Sequence, residues 1–337
     1  MKDNSSINFL KSPLEYPPDY KNSGNMDLSR KSILILGGEI TQTSNVAFSY
    51  IRTLATTLYV DGITDGLDIY SGYYKFNHRN PTVDRWQLFK KHRENFDYFP
   101  PFFREVEIES GILNSKHPNY ITDTFNFAIR PRLFSYGNSR FSYTTAKSNI
   151  RNLIIYTHCH GAYVQRMLED HMAESMKHFY SKEEISDIQN QLLVLNHLPF
   201  APSENPKFNA LSFGSASDTT VSYYNLFDYK MKSEPHKFQP AFYGPSLGNI
   251  MVADKLKFDP DLEHSQVGIN WTEAGNKDLT ENGKILFTAQ RNAFLTGVRS
   301  MINEQPMPEI SELITTDFAD YKSLVKRGLK IQRELGF

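Results

Sequence analysis

The residues best placed to do chemistry are Thr157-His158-Cys159-His160-Gly161, which contain the only cysteine among 337 residues. Thiolate sulfur is a strong nucleophile when a base holds it ionised and an acid orients that base. Leu153 to Tyr156, just before, form a short apolar run of the kind that makes a buried strand. After Gly161, the apolar residues Ala162, Val164, Met167, Leu168 and Met172 fall at helical spacing. Cys159 therefore sits at the centre of a tight turn between a strand and a helix. Against this, a free cysteine is among the most buried residue types and is usually inert. His158 and His160 are too close in sequence to act as its base, because side chains beside a sharp turn point away from the central one. They do not read as a metal site either, since successive residues rarely converge on one ion and zinc-type ligand spacings are absent. His158 reads as a packing residue.

The elements around this turn follow a strand–helix alternation. Residues 32–38, SILILGG, form a continuous apolar run ending in two glycines, which predicts a central parallel strand. A helix follows over about 43–59, with Ala47, Ile51, Leu54 and Leu58 along one face. G-x-G-x-x-G is absent, so the glycine turn does not read as a dinucleotide site. Residues 66–72 predict a second strand. Tyr70 to Phe103 is dense in aromatics, among them Tyr73, Tyr74, Trp86 and Phe89, and reads as an insertion that either covers a pocket or packs as a satellite core. REVEIE at 104–109 alternates as an exposed strand. Residues 119–135 are ambiguous, with Pro131 limiting any helix. A short helix or turn is expected at 143–150. Ser181 followed by Glu184 is a capping-box pattern. Further strands are predicted within 191–197, at 207–213 and at 246–253, and a helix at about 285–302. Such alternation implies a mostly parallel sheet with right-handed crossovers.

Strand, turn and helix with small residues two before and two after Cys159 resemble the nucleophile elbow of the α/β-hydrolase family. Gly161 fits that pattern well; Thr157 is bulkier than the usual glycine, and cysteine replaces the common serine, as it does in the dienelactone hydrolases. The resemblance covers about residues 30–303. It implies an α/β-hydrolase-like fold with a mostly parallel central sheet, helices on both faces and an aromatic-rich insertion at about 70–150. It also implies a chain order of nucleophile, acid, histidine. On that order Asp218, in GSASD just past the 207–213 strand, is the expected acid, although aspartate there also suits an Asx turn or a helix N-cap. His264 is the expected base, ahead of His236; His197 precedes Asp218 and breaks the order. The oxyanion hole falls to backbone N–H groups of His160 and of Gly38 or Glu39. The implied activity is hydrolysis or acyl transfer on a carboxylic ester or thioester through a Cys-His-Asp triad. The implied substrate is a small or lipid-like ester, and no cofactor or metal is called for. A cysteine peptidase or amidase, or a non-catalytic binding protein on the same fold, are the alternatives.

Composition bounds the rest. Net charge is −1, from 37 basic and 38 acidic side chains, which predicts no nucleic-acid partner. A single cysteine excludes an internal disulfide framework. With no apolar leader and no run long enough for a membrane span, the expectation is a cytoplasmic protein without a transmembrane segment, with export lacking a cleaved signal as the alternative. Protein partners are not legible. Residues 1–30 read as a polar arm, extended and partly disordered, that packs Phe9, Leu10 and Tyr16 on the body. Residues 31–303 read as the main domain and 304–337 as an amphipathic helical tail.

Overall fold

The computed structural model describes residues 6–15, 20–38, 41, 43–75, 119–135, 139–159, 161–197, 206–215, 240–242, 249–252, 281–308, 313 and 321–334. They build one nine-stranded mixed sheet: β1 (Ser6–Pro13), β2 (Lys21–Ser23), β3 (Lys31–Leu36), β4 (Leu67–Lys75), β5 (Leu153–His158), β6 (Leu193–His197), β7 (Asn209–Ser215), β8 (Pro240–Phe242) and β9 (Asn249–Val252). The spatial order is β2-β1-β4-β3-β5-β6-β7-β9-β8. β4, β3, β5, β6, β7 and β9 run parallel, while β1 and β8 pair antiparallel at the two sides. The parallel strands predicted from continuous apolar runs are buried along their length, as strands covered on both faces must be.

Helices cover both faces, and side-chain alternation divides the core between them. On one face α1 (Ser44–Val60) and α7 (Glu281–Ile302) pack Ile51, Leu54, Phe294 and Val298 against Ile33, Ile35, Ile154, Leu193 and Leu195. On the other lie α2 (Asn119–Thr124), α3 (Arg130–Leu133), α4 (Tyr143–Arg151), α5 (Gly161–Met176) and α6 (Lys182–Asn190). There Ile129, Ile150, Val164 and Leu168 meet Leu34, Leu36, Ile155 and Val194. The predicted capping box at Ser181 and Glu184 opens α6, each residue satisfying the other's backbone N–H.

The ambiguous stretch 119–135 is helical as far as Leu133, and its irregularity has a local cause. Between α2 and α3 the chain widens into a π turn over Phe125–Ile129, with the Arg130 N–H donated to Phe125 O. Pro131 follows at once in the first turn of α3; it has no N–H to give to the preceding turn, and the π turn lies over the carbonyls that would have received it.

The N-terminal segment belongs to the sheet rather than lying outside it as a polar arm. β1 pairs with β4 over its full length, from Ser6 opposite Lys75 to Pro13 opposite Asp68, and Phe9 and Leu10 are buried. Its polar residues mask the strand in sequence; Lys11 is one, and it neutralises the fully buried Asp68 at 2.6 Å. At the other end of the chain α8 (Tyr321–Glu334) packs on α1. Arg327 donates to Val60 O, and Arg291 and Arg299 pair with Asp61, gathering cations at the C-terminus of α1, where the helix dipole favours them.

A buried acid fastens α5 to the start of β7. Glu169 accepts from the Lys207 N–H at 3.2 Å and from the Gln165 amide, and burial pushes its carboxyl up to about 7. Among the described residues no helix is long and apolar enough to cross a membrane.

Candidate functional site

The order of the sheet reverses at β3. From β3 the chain moves through α1 to β4 on one side, and β5 then resumes on the other. Where neighbouring parallel strands diverge in this way, a crevice opens at their carboxyl ends. Gly37 and Gly38 leave β3 at this crevice, and Cys159 leaves β5 beside them.

Cys159 has a left-handed backbone, φ 50°, a conformation that only Glu304 shares among the described non-glycine residues. For an L-residue this costs about 1–2 kcal/mol, so neighbouring contacts must hold it. The Cys159 N–H donates to His197 O at 3.1 Å, and the Ala162 N–H donates to Cys159 O at 3.1 Å. The helix that follows packs hard on β3: a Cβ built on Gly161 would stand 1.9 Å from the Leu36 carbonyl oxygen. Only glycine fits there. Across the crevice, a Cβ on Gly38 would lie 3.2 Å from Cys159 Cβ and 3.7 Å from its Sγ. Cys159 itself is neither fully buried nor fully exposed.

Beneath the turn, β5 and β6 each end in two polar residues, Thr157-His158 and Asn196-His197, set in register. Since successive residues of a strand face opposite ways, each pair sends one side chain to each face. On the α5 face Thr157 Oγ1 donates to Asn196 Oδ1 at 2.6 Å, and Asn196 Nδ2 donates to Ser212 Oγ at 3.1 Å, all three buried. On the α1 and α7 face, His158 and His197 stack with centroids 5.1 Å apart. Tyr50 of α1 closes one end of that row, its hydroxyl 2.5 Å from His158 Nδ1, and Gln290 of α7 closes the other at His197 Nδ1.

Burial, reinforced by the negative charge of an ionised Cys159, drives the Tyr50 phenol far above its ordinary range, with the Gly38 N–H and the Thr41 hydroxyl opposing. Burial does the same to Tyr156 beneath it. Both are neutral hydroxyls at any physiological pH. Thr41 Oγ1 is fully buried and, among the described residues, lies close to the Tyr50 oxygen without a hydrogen bond of ideal geometry.

Of the residues singled out in the sequence, the structure brings Cys159 and Gly38 together. His160, Glu39, Asp218, His264 and its rival His236 lie outside the described residues, as do the REVEIE stretch and most of the aromatic insertion. His158 is more than packing, since it hydrogen-bonds Tyr50. His197, set aside on chain order, touches the turn through both its carbonyl and its ring. Tyr50, Asn196 and Gln290 were not anticipated. The two histidines had a signal: both strands end in a polar residue followed by histidine. No group of three or more His, Cys, Asp or Glu side chains that could hold a metal ion occurs among the described residues. No model of a known protein family matches the chain, and the curated proteins searched contain no match to it.

Proposed function

We propose that this chain is an α/β-hydrolase-type enzyme, a hydrolase or acyltransferase, that attacks a carboxylic ester or thioester with Cys159. The observation that carries the reading is the left-handed backbone of Cys159 on a turn joining a central parallel strand to a helix. A non-glycine residue is held in that conformation where the strain serves something, and a nucleophile lifted clear of its strand is what an elbow achieves. The contact of Gly161 with Leu36 supports it, because the small residue of the elbow pattern is required here by a backbone approach. The position supports it as well, since ligands of open α/β sheets bind where the strand order reverses.

In this reading the Cys159 thiolate adds to the carbonyl carbon, and the tetrahedral oxyanion is held by the His160 N–H with that of Gly38 or Glu39. Collapse expels the alcohol or thiol and leaves an acyl-enzyme. His264, oriented by Asp218, accepts the thiol proton as the thiolate forms, gives it to the leaving group, and then activates the water or second acceptor that releases the acyl group. The deciding experiment is a panel of p-nitrophenyl esters, acyl thioesters and matched amides assayed with wild type and Cys159→Ala. Turnover of an ester or thioester that vanishes in Cys159→Ala supports the proposal. Turnover that persists at the wild-type rate in the variant refutes it, and turnover of the amides alone moves the protein to the peptidase class.

A further inference from the structure

We propose that the exposed face of α8 is a docking surface for anionic lipid, which holds the protein reversibly at a membrane surface. This second site does not depend on the reading of Cys159 as nucleophile. It stands on the charge, the orientation and the place of one helix.

The charge is concentrated. Residues 322–333 contain five cations and no acid, in a chain whose net charge is −1. Side chains at i, i+4 and i+7 share a helix face, so Lys326, Lys330 and Arg333 form one row about 10 Å long. All three are exposed, as is Arg327 beside them. The opposite side of the helix is committed to the fold: Gly328 is buried, Ile331 packs against the core, and the helix lies on α1. α8 is therefore a basic amphipathic helix whose apolar side is already covered. Such a helix meets an anionic surface with its charges.

The acids described beside the row do not cancel it. Asp61, at the end of α1, is taken by Arg291 and Arg299 of α7. Glu334 reaches Lys330 at 3.5 Å, but their side chains are 60% and 76% exposed, and a solvent-exposed pair of this kind contributes little. Arg327 donates to Val60 O, a contact that pins α8 to the end of α1 and leaves the guanidinium charged.

The shape of the row favours lipid. A straight row on a convex helix fits a plane of anionic head groups, where each cation strengthens partitioning about fivefold, or ~1 kcal/mol. Nucleic acid is less well matched. The row offers no aromatic ring on which a base could stack, and the chain carries no surplus positive charge to draw a polyanion. The row is also separate from the crevice. α1 runs from the carboxyl end of β3 to the amino end of β4, so Val60, where α8 is pinned, lies at the end of the sheet away from Cys159.

The test is co-sedimentation of the full chain with vesicles of pure phosphatidylcholine, and of phosphatidylcholine carrying about 30% phosphatidylserine, at ~0.05 M and ~0.5 M salt. The protein is expected to sediment only with the phosphatidylserine vesicles at low salt and to be released at high salt, where exposed charges are screened. Lys326→Gln combined with Lys330→Gln should weaken partitioning about 30-fold, two fivefold steps. Both side chains stand in solvent, so the urea midpoint should match wild type, and Arg333→Gln, at about fivefold, is an independent variant. Lys177→Gln combined with Lys182→Gln is the control for net charge, since both lysines are exposed beside α5 and α6 on the other face of the sheet; it should bind as wild type does. Equal losses in the two double variants overturn the assignment to α8. Failure to bind the phosphatidylserine vesicles at low salt, or binding to pure phosphatidylcholine that survives high salt, overturns docking by charge. A protein that binds short single-stranded RNA and neither kind of vesicle overturns the choice of lipid. Partitioning is read without turnover, so it fails separately from the Cys159 reading. Vesicle binding unchanged in Cys159→Ala, in a protein that turns over no ester, leaves the docking surface standing and removes the hydrolase. Ester turnover that depends on Cys159, in a protein that ignores every vesicle, sinks only this inference.

Discussion

Replacing Gly161 by alanine tests whether the turn is held by backbone packing. The added Cβ would stand 1.9 Å from Leu36 O and 2.7 Å from Leu36 C, where real Cβ contacts stay beyond 3.0 Å. Either β3 or α5 must therefore retreat by roughly 1 Å, and neither is free to do so. Leu36 lies opposite Gly72 on one side and Thr157 on the other, so moving it strains two parallel ladders. Moving α5 pulls on the bond from the Ala162 N–H to Cys159 O. Overpacking costs about 1–3 kcal/mol, and one weakened backbone hydrogen bond adds about 1 kcal/mol. The better helix propensity of alanine returns at most ~1 kcal/mol. The expected net loss is about 1–3 kcal/mol. The assay is urea unfolding followed by far-UV circular dichroism, beside Gly24→Ala as control. Gly24 has open space around its Cβ position and should change stability by no more than ~0.5 kcal/mol. With a urea m-value of about 3 kcal/mol/M, the Gly161→Ala midpoint should fall by roughly 0.3–1 M. Equal midpoints for the two variants would refute the claim that glycine is required by the approach of α5 to β3.

Two further outcomes follow from buried polar groups. The Glu169 carboxyl is pushed from 4.5 up to about 7 by burial, so the folded state holds its proton more tightly than the unfolded chain does. This stabilisation is complete below pH 4.5 and is lost as pH rises through about 7, amounting to roughly 3 kcal/mol. Glu169→Gln should flatten the pH dependence of urea stability across that window, and an unchanged slope would remove Glu169 as its source. Thr157→Val keeps the shape of the side chain but leaves the buried Asn196 Oδ1 without its donor, so it should destabilise by about 1–3 kcal/mol. A variant as stable as wild type in the same urea assay would mean that the row from Thr157 to Ser212 contributes nothing.

How far the fold was legible depended on how local its signals were. KSILIL and LIIYTH announce themselves because strands buried on both faces must be apolar almost throughout. The helix of Ala47, Ile51, Leu54 and Leu58, and the Ser181–Glu184 cap, are equally local patterns. β1 was not legible. Its sequence mixes Phe9 and Leu10 with serine, asparagine and lysine, and what makes it a strand is β4, some sixty residues further on. Cys159 was legible for the same reason that β5 was, from the strand before it and the helix after it. Tyr50 was not, because 108 residues separate it from His158 and only the sheet order brings α1 over the end of β5.

Yet part of the site was written into the strand ends. A parallel strand in the middle of a sheet turns polar only where it emerges from between its covering helices. Because neighbouring side chains alternate, two polar residues in succession place one polar group on each face. Thr157-His158 and Asn196-His197 do this on adjacent strands in register, and so lay down two polar rows with no loop residue needed. β3, on the other side of β5, ends instead in Gly37 and Gly38 and adds no side chain to either row. A Cβ at Gly37 would stand 2.3 Å from Thr41 Oγ1 and 3.0 Å from the Tyr50 ring, and one at Gly38 would press on Cys159. The gap at the end of β3 is therefore as much a part of the site as the rows themselves. It leaves room for the Tyr50 ring beside Gly37 and for Cys159 beside Gly38, where any larger residue would push one of them aside.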